Sequence, residues 1–117
     1  MRQREHDLQA ACVRYFRYRH PRLSLCLVAV PNGGRRDAVT GARLKAEGVV
    51  AGVSDLLLLV PGRLHHGLCI EMKTPEGRQS AAQSRWQRAV EQMGYRYAIC
   101  RSLGQFIELV EGYLSDK

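Results

Sequence analysis

Glu71 and Lys73 stand two residues apart in the run Leu68-Cys69-Ile70-Glu71-Met72-Lys73. The apolar character of this run predicts a strand over 68–73. Strand side chains alternate between faces, so Glu71 and Lys73 point the same way. Asp55 opens an earlier apolar run, Asp55-Leu56-Leu57-Leu58-Leu59-Val60. If the two strands pair through the hairpin between them, Asp55 falls opposite the end of the later strand. Asp55, Glu71 and Lys73 then share one edge of a sheet. Two carboxylates are hard oxygen ligands suited to Mg2+, and the Met72 carbonyl can add a third donor. A cation held there would stabilise charge on a phosphate and acidify a bound water. A lysine beside it can orient that water, stabilise the developing charge or act as a base. The combination suits phosphodiester hydrolysis. An E-x-K pair alone is commonly just a solvated ion pair; the spacing, the strand placement and the basic charge of the chain together give it more weight.

The elements that would position these residues are legible along the chain. Residues 4–19 read as a helix, with Leu8, Ala11, Cys12, Tyr15 and Phe16 on one stripe. His20-Pro21 ends it, and residues 23–30 read as a buried strand. Pro31 to Arg36 is a basic, Gly-containing loop. Asp37 can cap a short helix running to about Glu47, with Gly48 at its end. Strands over 55–60 and 68–73 follow, joined through Pro61–Gly67. A helix from Ser80 to Met93 carries Ala82, Trp86, Ala89, Val90 and Met93 on one face. A strand over 95–100 comes next, and Ser102 starts a last helix with Phe106, Leu109, Val110, Tyr113 and Leu114 inward. The order α-β-α-β-β-α-β-α predicts one α/β domain over 1–117. Its mixed sheet has a hairpin and one parallel crossover strand.

Eighteen Lys and Arg against eleven Asp and Glu leave a net charge of +7, which favours a polyanionic partner such as nucleic acid. No apolar run is long enough for a membrane span, and the N-terminus is charged without a signal-like stretch after it. Both features predict a cytoplasmic protein. Cys12, Cys26, Cys69 and Cys100 have no zinc-type spacing and are expected as reduced thiols. No cofactor fingerprint points to a small-molecule enzyme.

Gly52-Val53-Ser54-Asp55 and Glu71-Met72-Lys73-Thr74 resemble the motif of the PD-(D/E)XK nucleases. More narrowly, the chain looks like the VRR-NUC branch. The resemblance extends to Glu5 and Gln9, Asn32-Gly33-Gly34, Gly48, Gln83-Ser84-Arg85-Trp86 and Gly94. One departure is that Ser54 stands where the motif name has proline; that proline shapes the chain and binds no metal.

The resemblance implies a restriction-endonuclease-like αβββαβ core and Mg2+- or Mn2+-dependent DNA cleavage. Stand-alone members, often from phages, are similar to Holliday-junction resolvases and act as homodimers. Carried over, Asp55 and Glu71 are metal ligands and Lys73 is the catalytic lysine. Glu5 is a further acidic residue near the metal; its place one turn before Leu8 also aims it inward. Gln83 positions the water or the phosphate, with Gln9 a weaker candidate. Ser80-x-x-Gln83 is equally a capping box, a pattern that recurs at Ser102-x-x-Gln105.

The loop Asn32, Gly33, Gly34, Arg35, Arg36, followed by Arg43 and Lys45, suits contact with a phosphate backbone. Arg78, Arg85 and Arg88 can form a second basic face. With few aromatics for stacking, backbone and shape recognition are expected rather than sequence readout. The leading expectation is a structure-selective endonuclease on branched DNA. The alternatives are cleavage of flap, nicked or linear DNA, and a DNA-binding module without turnover.

Overall fold

The computed structural model describes residues 2–31 and 37–115. Helix α1 (Arg2–Arg19) forms on the predicted stripe: Cys12 and Phe16 are fully buried, with Leu8 and Tyr15 packed beside them. It closes with the His20 N–H donating to the Phe16 carbonyl at 2.8 Å.

The strand expected over 23–30 is largely replaced. Pro21 to Cys26 is a 3-10 helix, and only Leu27–Ala29 forms β1. Pro21 near the start of that helix supplies a helix-compatible φ and needs no N–H partner. Leu25 is 92% exposed, so the apolar run does not mark a buried strand.

Strands β2 (Leu56–Leu58) and β3 (Leu68–Met72) are the predicted hairpin strands, trimmed at their ends. Strand β4 (Arg96–Cys100) runs parallel to β3, and the sheet order is β1-β2-β3-β4. The antiparallel pairs Leu56↔Ile70, Leu57↔Cys69 and Leu58↔Leu68 carry Asp55 to the level of Glu71. The mixed sheet and its flanking helices make the expected αβββαβ core.

Alternation along the strands divides the sheet into two faces. Leu56, Leu58, Leu68, Ile70 and Met72 join Cys12 and Phe16 of α1 with Phe106, Val110 and Tyr113 of α4 (Leu103–Ser115) in the main core. The opposite face, with Leu57, Cys69, Glu71 and Tyr97, is covered by α3 (Ala81–Gln92) through Trp86, Val90 and Gln83. All five residues of β3 are buried, as expected of a strand covered on both faces.

Helix α2 (Ala38–Ala46) starts where Asp37 caps the Thr40 N–H at 2.7 Å, and it has no fully buried residue. All four cysteines are free, and burial raises the Cys12 thiol to about 12 and those of Cys69 and Cys100 to about 11. These thiols are therefore protonated and unreactive at neutral pH. Among the described residues no helix is long and apolar enough to cross a membrane.

Candidate active site

Asp55 is pinned from both sides of β2. Its backbone carbonyl accepts from the Val30 N–H at 2.8 Å, which extends the pairing with β1. Its side-chain Oδ2 accepts from the Met72 N–H at 2.7 Å, reaching across to β3. The carboxylate thus takes the place of a ladder acceptor where β2 begins. The turn before it depends on Gly52, which has φ +89°. A Cβ there would lie 2.4 Å from the Ala82 carbonyl oxygen. Only a glycine lets this backbone lie against the first turn of α3.

Glu71 is 2% exposed in the middle of the sheet. Its Oε2 accepts from Gln83 Nε2 at 2.8 Å and lies 3.9 Å from Lys73 Nζ. Its Oε1 is 3.4 Å from the Tyr97 hydroxyl, which donates to it. Burial raises the Glu71 carboxyl most, followed by the charge of Asp55 and a hydrogen bond with Asp55; Lys73 and Tyr97 pull the other way. The result is a carboxyl pushed up to about 8. Two acids facing one another beside a buried strand invite a cation, because a positive charge between them would offset both desolvation and mutual repulsion.

The geometry unites the two readings of Gln83. Ser80 Oγ accepts from the Gln83 N–H at 3.1 Å, and Gln83 Oε1 accepts from the Ser80 N–H at 2.8 Å. The capping box is complete, and the remaining end of the same amide holds Glu71. Ser102 also accepts from the Gln105 N–H, but Gln105 Oε1 accepts from the Arg101 N–H and takes no part in the site.

Glu5 and Gln9 line a cleft of about 770 Å3 beside α1, together with Asp55 and Met72. Glu5 is half-buried, as its inward position predicted. Among the described residues, however, no three Asp, Glu, His or Cys side chains assemble into a metal-holding group. The alternation of β3 explains this: Glu71 faces α3, whereas α1 packs on the other face. Asp55, at the end of the sheet, is the acid shared by the cleft and the Glu71 cluster.

Arg43 and Lys45 are exposed in the last turn of α2. Asn32, Gly33, Gly34, Arg35 and Arg36 lie outside the described residues. Arg78, Arg85 and Arg88 are exposed, with Arg88 donating to Ser84 Oγ at 3.0 Å.

Two contributors carry no local sequence signal. Tyr97 reaches Glu71 and also accepts from Gln79 Nε2 at 3.2 Å; burial drives its hydroxyl pKa upward, which keeps it a donor. Arg101 Nη1 donates to the carbonyls of Thr74, Pro75 and Gly77 at 2.9, 3.4 and 2.7 Å. This clamps the turn after Lys73, where a Cβ on Gly77 would come 3.3 Å from Lys73 Cδ. The apolar character of strands and the basic charge suggest neither contact, since both depend on the β3–β4 crossover.

A helix-flanked mixed sheet with an Asp…Glu-x-Lys cluster at one end of its central strands fits a nuclease-type fold. Residues 3–103 match the VRR-NUC domain, and the chain belongs to that family. A solved structure described as a VRR_NUC domain protein is similar in fold, with a TM-score of 0.84 and 21% identity over 96% of this chain and 88% of that one. No curated protein matches the sequence. Family membership assigns a nuclease-type, DNA-processing function, with DNA as the substrate.

Proposed function

We propose that the protein is a divalent-metal-dependent DNA endonuclease whose working centre is Asp55, Glu71 and Lys73. The observation that carries this reading is the Glu71 cluster, in which a buried carboxyl lies 3.9 Å from Lys73 and is pushed up by burial and by the charge of Asp55. The donor set suits Mg2+ or Mn2+: Asp55 and Glu71 would hold the ion, with the Met72 carbonyl completing the protein's share and water or phosphate oxygens the rest. Glu5 would assist from the cleft wall, through water. The bound ion would supply charge stabilisation on the phosphate and a more acidic water.

The chain's own residues do the remaining work. Lys73 places a positive charge beside Glu71, where it can orient a water or neutralise charge on the phosphorane. Gln83 and Tyr97 fix the Glu71 carboxyl, so its oxygens need not reorganise when substrate arrives. Exposed Arg43 and Lys45, with the preceding 32–36 segment, would bear on the phosphate backbone.

The preferred substrate is proposed to be branched DNA of the four-way-junction type, cut by a homodimer. This follows the resemblance to resolvase-like relatives, and two symmetric cuts need two sites. The test is cleavage of four-way, flap, nicked and linear duplex DNA with Mg2+ or Mn2+, with light scattering for the dimer. Lys73→Ala should bind DNA and fail to cut it. Wild-type protein that binds every substrate and cuts none with either metal would leave only a binding module. Equal cutting of linear duplex and junction would remove the junction preference.

A further inference from the structure

The cleft that contains Asp55 and Glu5 continues along α1 well beyond the acidic residues. Two adjacent i, i+4 rows face it: Glu5, Gln9, Val13 and Arg17 in one, His6, Ala10 and Arg14 in the other. The nearer part of this wall carries the Glu5 carboxyl, the Gln9 amide and the His6 imidazole, its middle is small and apolar, and its far part carries two guanidinium groups. Both arginines are exposed, and no carboxylate among the described residues pairs with either. By contrast, Arg88 of α3 is engaged with Ser84, and neither Arg85 nor Arg88 lines the cleft.

We infer that Arg14 and Arg17 form a phosphate-binding rail that holds the DNA flank on one side of the cut. This inference rests on the nuclease reading of the Asp55 site. A helix rises about 1.5 Å per residue. Arg14 and Arg17, nine and twelve residues after Glu5, therefore lie roughly 14 and 18 Å along the helix from the acidic end. One strand of a duplex offers a phosphate about every 3.4 Å of axis. DNA running along α1 would thus meet the two arginines some four to five phosphates from the scissile bond. The charge order fits this path. Acids at one end suit a cation and the reacting phosphate, and the arginines at the other meet phosphates that do not react. Guanidinium is the side chain matched to such oxygens, since it can donate two parallel hydrogen bonds. Ala10 and Val13 between them present no charge to repel the backbone.

The experiment measures binding of a 30-base-pair duplex by fluorescence anisotropy, without divalent metal, across a salt series. Arg14→Ala/Arg17→Ala should weaken binding about tenfold or more and lower the slope of log affinity against log salt by about 2. Arg14→Lys/Arg17→Lys should keep most of the slope, and thermal melting of both variants should match wild type. A second arm replaces the phosphates four and five positions to one side of the mapped cut with neutral methylphosphonates. That change should weaken wild type and leave the alanine variant unaffected, because both remove the same contacts. An unchanged slope in the alanine variant overturns the inference, as does its loss in Arg85→Ala/Arg88→Ala instead. Arginine-dependent binding in a protein that cuts no DNA would count against the nuclease reading alone and leave the rail standing.

Discussion

The side-chain amide of Gln83 donates to Glu71 at 2.8 Å while its oxygen closes the cap of α3. Helix start and buried carboxylate are held by opposite ends of one group. Ser80→Ala removes only the cap and should cost about 1 kcal/mol of stability, with little effect on cutting. Gln83→Ala should cost a similar amount and also slow cleavage about 10- to 100-fold. Denaturant unfolding and single-turnover rates on both variants separate the roles. Equal cleavage by the two would reduce Gln83 to a helix cap.

Metal binding at the proposed site should be strongly pH-dependent. In the metal-free protein Glu71 is pushed up to about 8 by burial and then by Asp55. Below that pH a proton occupies the position a cation needs. Apparent affinity for Mn2+ should therefore rise by up to about tenfold per pH unit as pH climbs toward 8 and level off above it. Without metal the sign for stability is opposite. The native carboxyl keeps its proton after the unfolded one, near 4.5, has lost it. Stability should thus be highest in mild acid and decline as pH rises through 8. Calorimetric metal titrations and melts at several pH values read both trends, and Glu71→Gln should flatten each.

Gly52 and Gly48 both have positive φ, yet they predict different outcomes. A Cβ on Gly48 meets nothing within 4 Å, whereas one on Gly52 collides with the Ala82 backbone. Gly48→Ala should cost only about 1–2 kcal/mol, for its left-handed conformation alone. Gly52→Ala should cost more than about 2 kcal/mol, because the start of α3 must move. It should also slow cleavage by displacing Gln83. Urea unfolding compares the two, and equal losses would show that the close approach to α3 does not matter.

Arg101 is expected to act through Lys73. Arg101→Ala frees three carbonyls of the 74–77 turn that packs beside the lysine stem. The turnover rate should fall about tenfold with KM for DNA nearly unchanged, and amide exchange over 74–77 should accelerate. Arg101→Lys should recover part of the rate. A rise in KM alone would mean that Arg101 binds DNA instead.

Much of this organisation was legible from local pattern. The Cys12–Phe16 stripe marked the first helix, and the two apolar runs around a turn set Asp55 level with Glu71. What failed was also physical. Leu23 to Cys26 has the composition of a strand, but Pro21 starts a tight helical turn and the outer edge of the sheet needs only three residues there. Tyr97 and Arg101 were invisible because their contacts depend on how β4 registers against β3. Gln83 looked like a choice between cap and site because sequence spacing does not reveal that one amide can face two ways.

The hydrogen bond from the Met72 N–H to Asp55 has a consequence for how such an enzyme can decay. If the proposed metal site is right, changing Asp55 would remove a ligand and also loosen the sheet, so drift at that position is penalised twice. Among the described residues Lys73 joins the cluster through a long contact to Glu71, and on the same reading its loss would harm chemistry while sparing the fold. Descendants of this protein that abandon cutting but still grip DNA should therefore shed the lysine first and retain the aspartate as a relic of architecture.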